Sequence, residues 1–468
     1  MLPSAAELVA YFLRMNGYTE TLSSFLKEAG LSSEAGQGSS GITIEQILEE
    51  KRIFDLSLNF EKLGVAETHG WRTPAPSTPN VVSTSTNSNI LSVHICHLSL
   101  SAGVEARSCV AVTTADRRLT LYDPSVSSMR ELKSYTGFQD SPLLDLIVVD
   151  STHLIAASMS GRLVIVNTIT GSLVDERKDH KKYLVKLTHW AGSDSILIAS
   201  AGWDSKVFFY RIPINHMGEP RLGEPIASIT LPTIPETVMF LQAPEHSSPV
   251  LLLTRRDSTF LYYYHMEYSS SHFELLGKQN LAPHSNAWVA FSPSDVQLCP
   301  TDPTLVAVAT SSTPHMKVLM VQLLIPPIPD NRLEIANDQL EDDALDSRPL
   351  TQSALARAEL LVRDREDAAI KISVNTMAPQ SKYSTPTLRW RPDGTGIYVN
   401  SDDGIIRGLD MATGKLKASL EGHEAGSKIR CLVAGPRKAG AHTSVSGERI
   451  GEYLISGGFD QRLILWTT

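Results

Sequence analysis

The stretch Ser456-Gly-Gly-Phe-Asp-Gln-Arg-Leu-Ile-Leu-Trp466 decides the fold of this protein. Its pattern predicts a β-strand that ends in a tight turn, followed by a second strand that ends at Trp466. A Gly422-His423 dipeptide lies upstream of it in the sequence. A small unit of this kind cannot bury its flat face alone, so the stretch implies further copies that stack against it.

This combination of residues is typical of one blade of a β-propeller. We expect the Trp466 indole N–H to donate to the Ser456 hydroxyl, the hydroxyl to meet His423, and His423 to meet Asp460. The histidine, serine and aspartate superficially resemble a catalytic trio. Because such groups are buried and mutually satisfied in a blade, we interpret all four residues as structural.

Seven units with this strand–turn–strand pattern follow residue 80. They centre on residues 109–123, 154–166, 197–210, 251–264, 306–321, 397–410 and 456–466. The third unit repeats the spacing of the last, with Tyr210 in the place of the tryptophan. The sequence therefore predicts a mainly β fold, a seven-bladed propeller.

The last blade has no sequence left after Thr468 for an outer strand, and an open sheet edge would be a pairing hazard. Residues 81–84, just ahead of the first blade, are the natural donor of that strand. This closure is typical of the WD-repeat propeller family, which residues 79–468 resemble, although only one unit carries the full polar set. Residues 328–369 interrupt the pattern with an acidic run and a helical spacing of apolar residues, and we interpret them as an insertion in the fifth blade. The insertion is either a partner-binding arm or a solvated loop whose helix covers the propeller flank.

The first 37 residues predict two short amphipathic helices. Ser4 and Glu7 form a capping box, Gly17 suits a left-handed helix end, and a second helix follows from Thr19 to Ala29. Two such helices leave too much apolar surface exposed to be stable as a monomer. They are expected either to pair with a second copy or to pack on the propeller of their own chain.

Residues 8–18 together with Thr21, Phe25 and Glu28 resemble the LisH (lissencephaly homology) motif, although Leu22 stands where that motif usually has alanine. The resemblance implies a homodimer. The predicted dimerisation residues are Leu8, Phe12, Leu13, Tyr18, Leu22 and Phe25. We expect residues 38–78 to be a spacer with an accessory helix, and the propeller to fill residues 79–468.

Composition excludes several classes of function. A net charge of −9 over 468 residues disfavours nucleic acid as a partner. The four cysteines have neither disulfide nor zinc-site spacing, and no segment predicts a signal peptide or a membrane span. These features predict a protein of a reducing compartment, cytoplasmic and/or nuclear, without membrane contact.

No catalytic motif is present, and we predict no enzyme, cofactor or metal. His94 and Cys96 would face one side of a strand, but without a third ligand we interpret them as part of a packed first blade. An enzyme that uses the propeller channel would need carboxylates, histidines or metal ligands converging at the inner strand ends. The sequence shows no such cluster.

The remaining possibility is recognition on the propeller rim. The residue before the turn aspartate is a large aromatic in two units, Trp203 and Phe459, and exposed aromatics often anchor partners. We predict a rim that combines them with basic residues and suits an acidic or aromatic-binding peptide. The predicted rim residues are Trp203, Phe459, Arg117, Arg118, Arg162, Lys206 and Arg462. The alternative is that the two aromatics fold over onto neighbouring blades.

These features together predict a non-enzymatic scaffold that dimerises through its helices and binds peptide segments of other proteins. Two alternatives stand beside this interpretation. One is a structural subunit held permanently in a larger complex, such as the ubiquitin ligases or corepressors that the resemblance implies. The other is an enzyme that uses the propeller channel.

Overall fold

The computed structural model describes residues 4–37, 43–46, 62–64, 70–125, 128–138, 140–214, 218–242, 248–267, 272–285, 290–327, 352–437 and 451–468. The chain divides into two compact units, residues 1–61 and residues 62–468.

The first unit is built on two helices, α1 (Ala5–Met15) and α2 (Thr19–Glu28). The predicted capping box is present, with the Ser4 hydroxyl accepting from the Glu7 N–H and the Glu7 carboxylate accepting from the Ser4 N–H. Gly17 takes φ +74° between the helices, a conformation that glycine adopts without a steric cost. The predicted helical pair is therefore confirmed.

The chain after α2 folds back onto α1. Arg14 Nη2 donates to the carbonyl oxygen of Ser33 at 3.0 Å. Gly36 takes φ +76°, and a Cβ atom there would lie 2.5 Å from the Tyr11 nitrogen, so only glycine fits. Thr43 and Gln46 form a reciprocal cap at 3.0 and 3.1 Å, as expected of a helix start. The rest of the predicted accessory helix lies outside the described residues.

The second unit consists of seven four-stranded antiparallel sheets, which we call blades one to seven. Blade one is β2 (Ile90–Leu98), β3 (Arg107–Thr114), β4 (Leu119–Asp123) and β5 (Arg130–Tyr135); blade two is β6 (Leu143–Val148), β7 (His153–Ser158), β8 (Leu163–Asn167) and β9 (Leu173–Arg177). Blade three is β10 (Leu184–Ala191), β11 (Ser195–Gly202), β12 (Lys206–Pro213) and β13 (Ala227–Thr230); blade four is β14 (Pro235–Leu241), β15 (Val250–Arg255), β16 (Phe260–Glu267) and β17 (His272–Asn280). Blade five is β18 (Pro293–Leu298), β19 (Leu305–Thr310), β20 (His315–Gln322) and β21 (Ile370–Pro379); blade six is β22 (Leu388–Trp390), β23 (Gly396–Val399), β24 (Ile405–Asp410) and β25 (Leu416–Glu421). Blade seven is β26 (Ile429–Arg437), β27 (Gly451–Gly458), β28 (Leu463–Thr467) and the outer strand β1 (Thr78–Val82).

The ring closes where β1 pairs with β28, with Val81 opposite Ile464. The predicted closure is confirmed, but the strand begins at Thr78 and ends at Val82, so two residues of the predicted donor, Ser83 and Thr84, lie outside it. Pro79 is tolerated because β1 is an outer strand, where a missing N–H donor does not interrupt the sheet.

The propeller unit begins before the predicted boundary at residue 79. Lys62 forms an antiparallel bridge with Ser373 of blade five. Trp71 is buried, with its ring 5.4 Å from that of Tyr398 and beneath the guanidinium of Arg391. Part of the predicted spacer is therefore packed on the blades.

The insertion in blade five separates the strands β20 and β21, as the sequence predicts. Its described part contains helix α3 (Gln352–Ala369), while the acidic run lies outside the described residues. The last turns of α3 contact the blades, since Glu366 Oε1 accepts from the Asn280 N–H at 2.7 Å. Leu361 and Val362 remain exposed in the middle of the helix. The described contacts of the helix with the propeller flank therefore include its C-terminal end.

The first strands of neighbouring blades contact one another around the ring, and β26 closes the circle onto β2. These seven strands therefore line the central channel. The apolar cores lie between successive blades, where the middle strands are buried on both faces. In blade three Leu184 of the first strand pairs with Gly202, so the beginning of each inner strand and the turn after each second strand lie on the same face. We call this side of the propeller the turn face.

Candidate functional site

The hydrogen-bonded chain of blade seven is complete and buried. Trp466 Nε1 donates to Ser456 Oγ at 2.8 Å, and Ser456 Oγ lies 2.7 Å from His423 Nε2. His423 Nδ1 lies 2.9 Å from Asp460 Oδ2. Ser456 has no exposed surface, so these groups bind one another rather than a substrate.

The aspartate of this chain is held in its ionised form. Burial alone would raise the pKa of Asp460, but His423 and the amide N–H groups of Glu424 and Arg462 hold that pKa below its usual value. A carboxylate with a lowered pKa stabilises the folded state above its unfolded pKa, and this contribution is lost as the pH falls through the folded-state pKa.

Blade three contains a second buried chain that the sequence analysis did not assign. His180 Nδ1 lies 2.9 Å from Asp204 Oδ1, and His180 Nε2 lies 2.9 Å from Ser200 Oγ. Tyr210 stands where blade seven has its tryptophan, and its hydroxyl donates to Asp179 Oδ2 at 2.9 Å. The Asp179-His180 dipeptide, in the place of Gly422-His423, was the available signal.

The two predicted rim aromatics lie on the turn face, each in a tight turn between the second and third strands of its blade. Phe459 is 45% exposed. Trp203 is partly covered, because its ring packs 5.3 Å from Tyr183 and lies under the Arg256 guanidinium of blade four at 5.1 Å. One aromatic therefore faces solvent, while the other reaches a neighbouring blade as the alternative interpretation expects.

The basic residues of the predicted rim are mostly paired with carboxylates. Arg118 Nε lies 3.0 Å from Asp116, Arg162 Nη1 lies 3.0 Å from Glu176, and Arg462 Nη2 lies 3.0 Å from Glu424. Arg117 Nη1 donates to the carbonyl oxygen of Asp140 at a long 3.5 Å, and Lys206 Nζ lies 5.8 Å from the Phe208 ring centroid. The expected basic arc is therefore largely neutralised, because carboxylates from the same turns and from neighbouring strands lie beside the arginines.

The structure brings together a set of ionisable side chains in the channel that the sequence analysis missed. Each of the seven inner strands contributes one such residue: His94, Asp145, Lys186, Glu236, Asp295, Arg389 and Arg430. The expectation that no carboxylates or histidines converge there is therefore wrong, although no group of three or more described His, Cys, Asp or Glu side chains could hold a metal ion. The available signal was one charged residue inside each short apolar first strand, such as Ile429-Arg430-Cys431.

Several of these groups pair across blades. His94 Nε2 lies 3.2 Å from Asp145 Oδ1, although within the described part of the chain this nitrogen has no partner of good hydrogen-bond geometry. Arg389 Nη1 lies 2.9 Å from Asp295 Oδ2. Burial alone would raise the pKa of Asp145, but His94, Lys186 and the Leu187 N–H hold it below its usual value. Asp145 and Asp295 therefore each have partner side chains on neighbouring blades.

A cavity of about 300 Å³ opens at the turn face of this channel. Its wall contains Trp203 and Arg256 from the turns, and Lys186, Arg389 and Arg430 from the inner strands. None of the other predicted rim residues lines the cavity. Trp203 therefore links the predicted rim to the channel.

The cysteines offer no reactive group. All four are buried and free, and burial raises the thiol pKa of Cys109 to about 11 and that of Cys431 to about 12. Across the described ranges no group of three or more His, Cys, Asp or Glu side chains is arranged to hold a metal ion. The pair of His94 and Cys96 belongs to strand β2 of blade one, as expected.

The two units define a class of protein, one that joins LisH-like helices to a seven-bladed β-propeller. Comparison with protein families places it more narrowly. Residues 6–34 match the LisH domain and residues 77–447 match the β-propeller domain of UCP007778, and the chain belongs to this family. No curated protein matches the chain. Among the described helices, none has the length and apolar character needed to cross a membrane.

Proposed function

We propose that this protein is a non-enzymatic interaction scaffold of the WD-repeat type, dimerised through its LisH-like helices, that binds peptide segments of partner proteins on the turn face. Its partners are other proteins, in the cytoplasm and/or the nucleus, and not nucleic acid or membranes. The net charge of −9 supports the exclusion of nucleic acid, because binding to phosphates requires clustered cations.

The observation that carries the proposal is the exposed Phe459 in a tight turn on the turn face. A large aromatic side chain that is 45% exposed has no role in the propeller core. Aromatic residues are enriched at binding hot spots because they bury much area at a small cost in conformational entropy. Since three of the four rim arginines are paired with carboxylates, we expect Phe459 and the Trp203 edge of the cavity, rather than these arginines, to anchor the partner.

Dimerisation is supported by the exposure of the helical pair. Met15 is 67% exposed and Tyr18 is 53% exposed, although both are large hydrophobic residues. Of the predicted dimerisation residues, Leu8, Phe12, Leu13 and Phe25 are partly exposed, whereas Leu22 is 8% exposed within a single chain. Leu22 therefore has little exposed surface for a dimer contact, and we propose that the other five residues form it.

A dimer would give the scaffold its valency. Two propellers in one particle make the second contact with a partner intramolecular, at an effective concentration in the range of about 1 mM when the linkage can span the sites. Weak binding by one turn face then becomes strong binding by two.

The dimer is tested by Tyr18→Glu, which places a charge on the exposed apolar surface. We expect the mass measured by multi-angle light scattering to fall from two chains to one, because an unpaired charge at a contact costs more than the contact provides. Ser24→Glu, at an exposed polar position of α2, is the matched control and should remain dimeric. A dimer that persists in both variants would contradict this assignment.

Partner binding is tested by Phe459→Ala in an affinity purification followed by quantitative mass spectrometry. We expect the recovery of specific partners to fall about tenfold or more, as for a hot-spot aromatic. Leu416→Ala is the matched control, because Leu416 is a similarly exposed apolar residue on the outer strand of blade six. Equal recovery by the wild type and both variants would remove Phe459 from the binding surface.

A further inference from the structure

The cavity on the turn face has an excess of one positive charge. The side chains of its wall, together with Asp295, which pairs with two of them, comprise five cations and four carboxylates. The cations are Lys186, Arg256, Lys382, Arg389 and Arg430, and the carboxylates are Asp145, Glu236, Asp257 and Asp295. His94, also in the wall, adds no charge when neutral.

Most of these charges are already paired within the wall. Arg256 Nε donates to Glu236 Oε1, and Arg389 Nη1 lies 2.9 Å from Asp295 Oδ2. Lys186 Nζ lies 3.9 Å from Asp295 Oδ1. These pairs fix the side chains around the cavity and leave little positive charge on these three residues.

Arg430 is different, because no described residue accepts a hydrogen bond from its guanidinium or lies within ion-pair distance of it. Its side chain is only partly exposed, and burial lowers its pKa below the usual value. Glu236 and Asp145 act on it only as more distant charges. A guanidinium has five N–H donors, and leaving them without acceptors in a desolvated place costs stability. A residue of this kind is suited to an acceptor that comes from outside the chain.

We propose that Arg430 binds the carboxylate of one glutamate or aspartate side chain in an extended partner segment that crosses the turn face. The inference rests on the proposed function and specifies which side chain of the partner segment the turn face binds. Arg430 would bind the two carboxylate oxygens with two parallel N–H donors, the strongest geometry for such a pair. Trp203 forms one wall of the cavity.

A singly charged carboxylate fits the cavity better than a phosphate group. One negative charge balances the excess of one positive charge, whereas a phosphate adds about 1.5 to 2 negative charges at neutral pH. Asp145 and Glu236, which act electrostatically on Arg430, would repel the additional charge.

The experiment uses the full chain and a phage-displayed library of random peptides. Peptides selected by the wild type are synthesised with the acidic residue present, changed to its amide, or replaced by phosphoserine. Their dissociation constants are measured with the wild type, with Arg430→Gln and Arg430→Lys, and with the control Arg130→Gln, an exposed arginine of the outer strand β5.

We expect one acidic position to be enriched, and its change to the amide to weaken binding about ten- to a hundredfold, as for a hydrogen bond between charged groups. Arg430→Gln should cause the same loss, and the two changes together should add little more, because both remove one contact. Arg430→Lys should recover part of the affinity, and Arg130→Gln should change nothing.

Selected peptides without an acidic position would overturn the inference and leave the proposed function standing, whereas no selected peptide at all would contradict both. Tighter binding of the phosphoserine peptide than of the acidic one would also overturn it.

A stability measurement separates a binding role from a structural one. Because none of the described residues pairs with Arg430, Arg430→Met should leave the midpoint of thermal unfolding unchanged or raise it. A lower midpoint would show that Arg430 supports the fold, and the binding role would then be withdrawn.

Discussion

The variant Val82→Asp should lose about 4 kcal/mol or more of the free energy of unfolding, because it buries a charge that has no partner. Val82 is 4% exposed and belongs to the apolar cluster between blades seven and one, with Ile90, Tyr122 and Leu463. It lies on β1, the strand that closes the ring. Urea unfolding followed by circular dichroism measures the loss, and we expect the variant to be largely unfolded or aggregated at 37 °C.

The matched control is Val81→Asp, one residue earlier on the same strand. Successive side chains of a strand point to opposite faces, and Val81 is 63% exposed. Its change to aspartate should alter the free energy of unfolding by about 0.5 kcal/mol or less. If the two variants are equally stable, β1 does not complete the propeller in solution.

The sequence was sufficient to predict the middle strands of every blade. Strands such as β19, with Val306 and Val308 fully buried, lie between two neighbours in their sheet and between two blades, so their residues are a short apolar run with turn residues at both ends. The ring closure also followed from the sequence, because the last sheet had one strand too few. These features depend on local patterns and on the geometry of a closed ring.

The first and last strands of the blades were harder to predict. Outer strands such as β5 and β9 carry exposed polar residues, and their pattern does not differ from that of a loop. Inner strands carry a charged residue where a packed strand would be apolar, as Arg430 does in β26. The channel charges were missed for this reason, since each is a single residue in its strand, and pairs such as His94 with Asp145 and Arg389 with Asp295 join different blades.

The contacts of the candidate binding face were likewise not predictable from the sequence. The sequence placed Trp203 and Phe459 in equivalent turns, but it could not show that Arg256 of the next blade covers only one of them. It gave the arginines of the rim, but the pairing of Arg162 with Asp140 and Glu176 depends on how the strands of blade two and the preceding connection fold together. Contacts between residues far apart in the sequence require the tertiary structure.

A buried ion pair joins blade six to blade seven, the blade that β1 completes. Arg391 is 1% exposed, and its Nε donates to both carboxylate oxygens of Glu452 at 3.0 and 3.1 Å. The Tyr398 hydroxyl donates to the same carboxylate at 2.7 Å, and Arg391 Nη2 donates to Thr73 Oγ1 at 2.6 Å. The carboxylate therefore supports an arginine that also holds the segment before β1.

The variant Glu452→Ala should lose about 3 to 5 kcal/mol of the free energy of unfolding, because it leaves the buried guanidinium of Arg391 without its counter-ion. Urea unfolding measures this loss. Glu421→Ala is the matched control, since Glu421 is an exposed glutamate on the outer strand of blade six, and it should change the free energy by about 0.5 kcal/mol or less.

The double variant Glu452→Leu with Arg391→Met shows whether the loss comes from the unpaired charge. Replacing both members of a buried pair by apolar groups removes the desolvation cost of the charges as well as their attraction. The double variant should therefore be more stable than Glu452→Ala, although it has lost more polar contacts. If it is less stable, the hydrogen bonds to Tyr398 and Thr73, rather than the neutralisation of Arg391, hold blades six and seven together at this point.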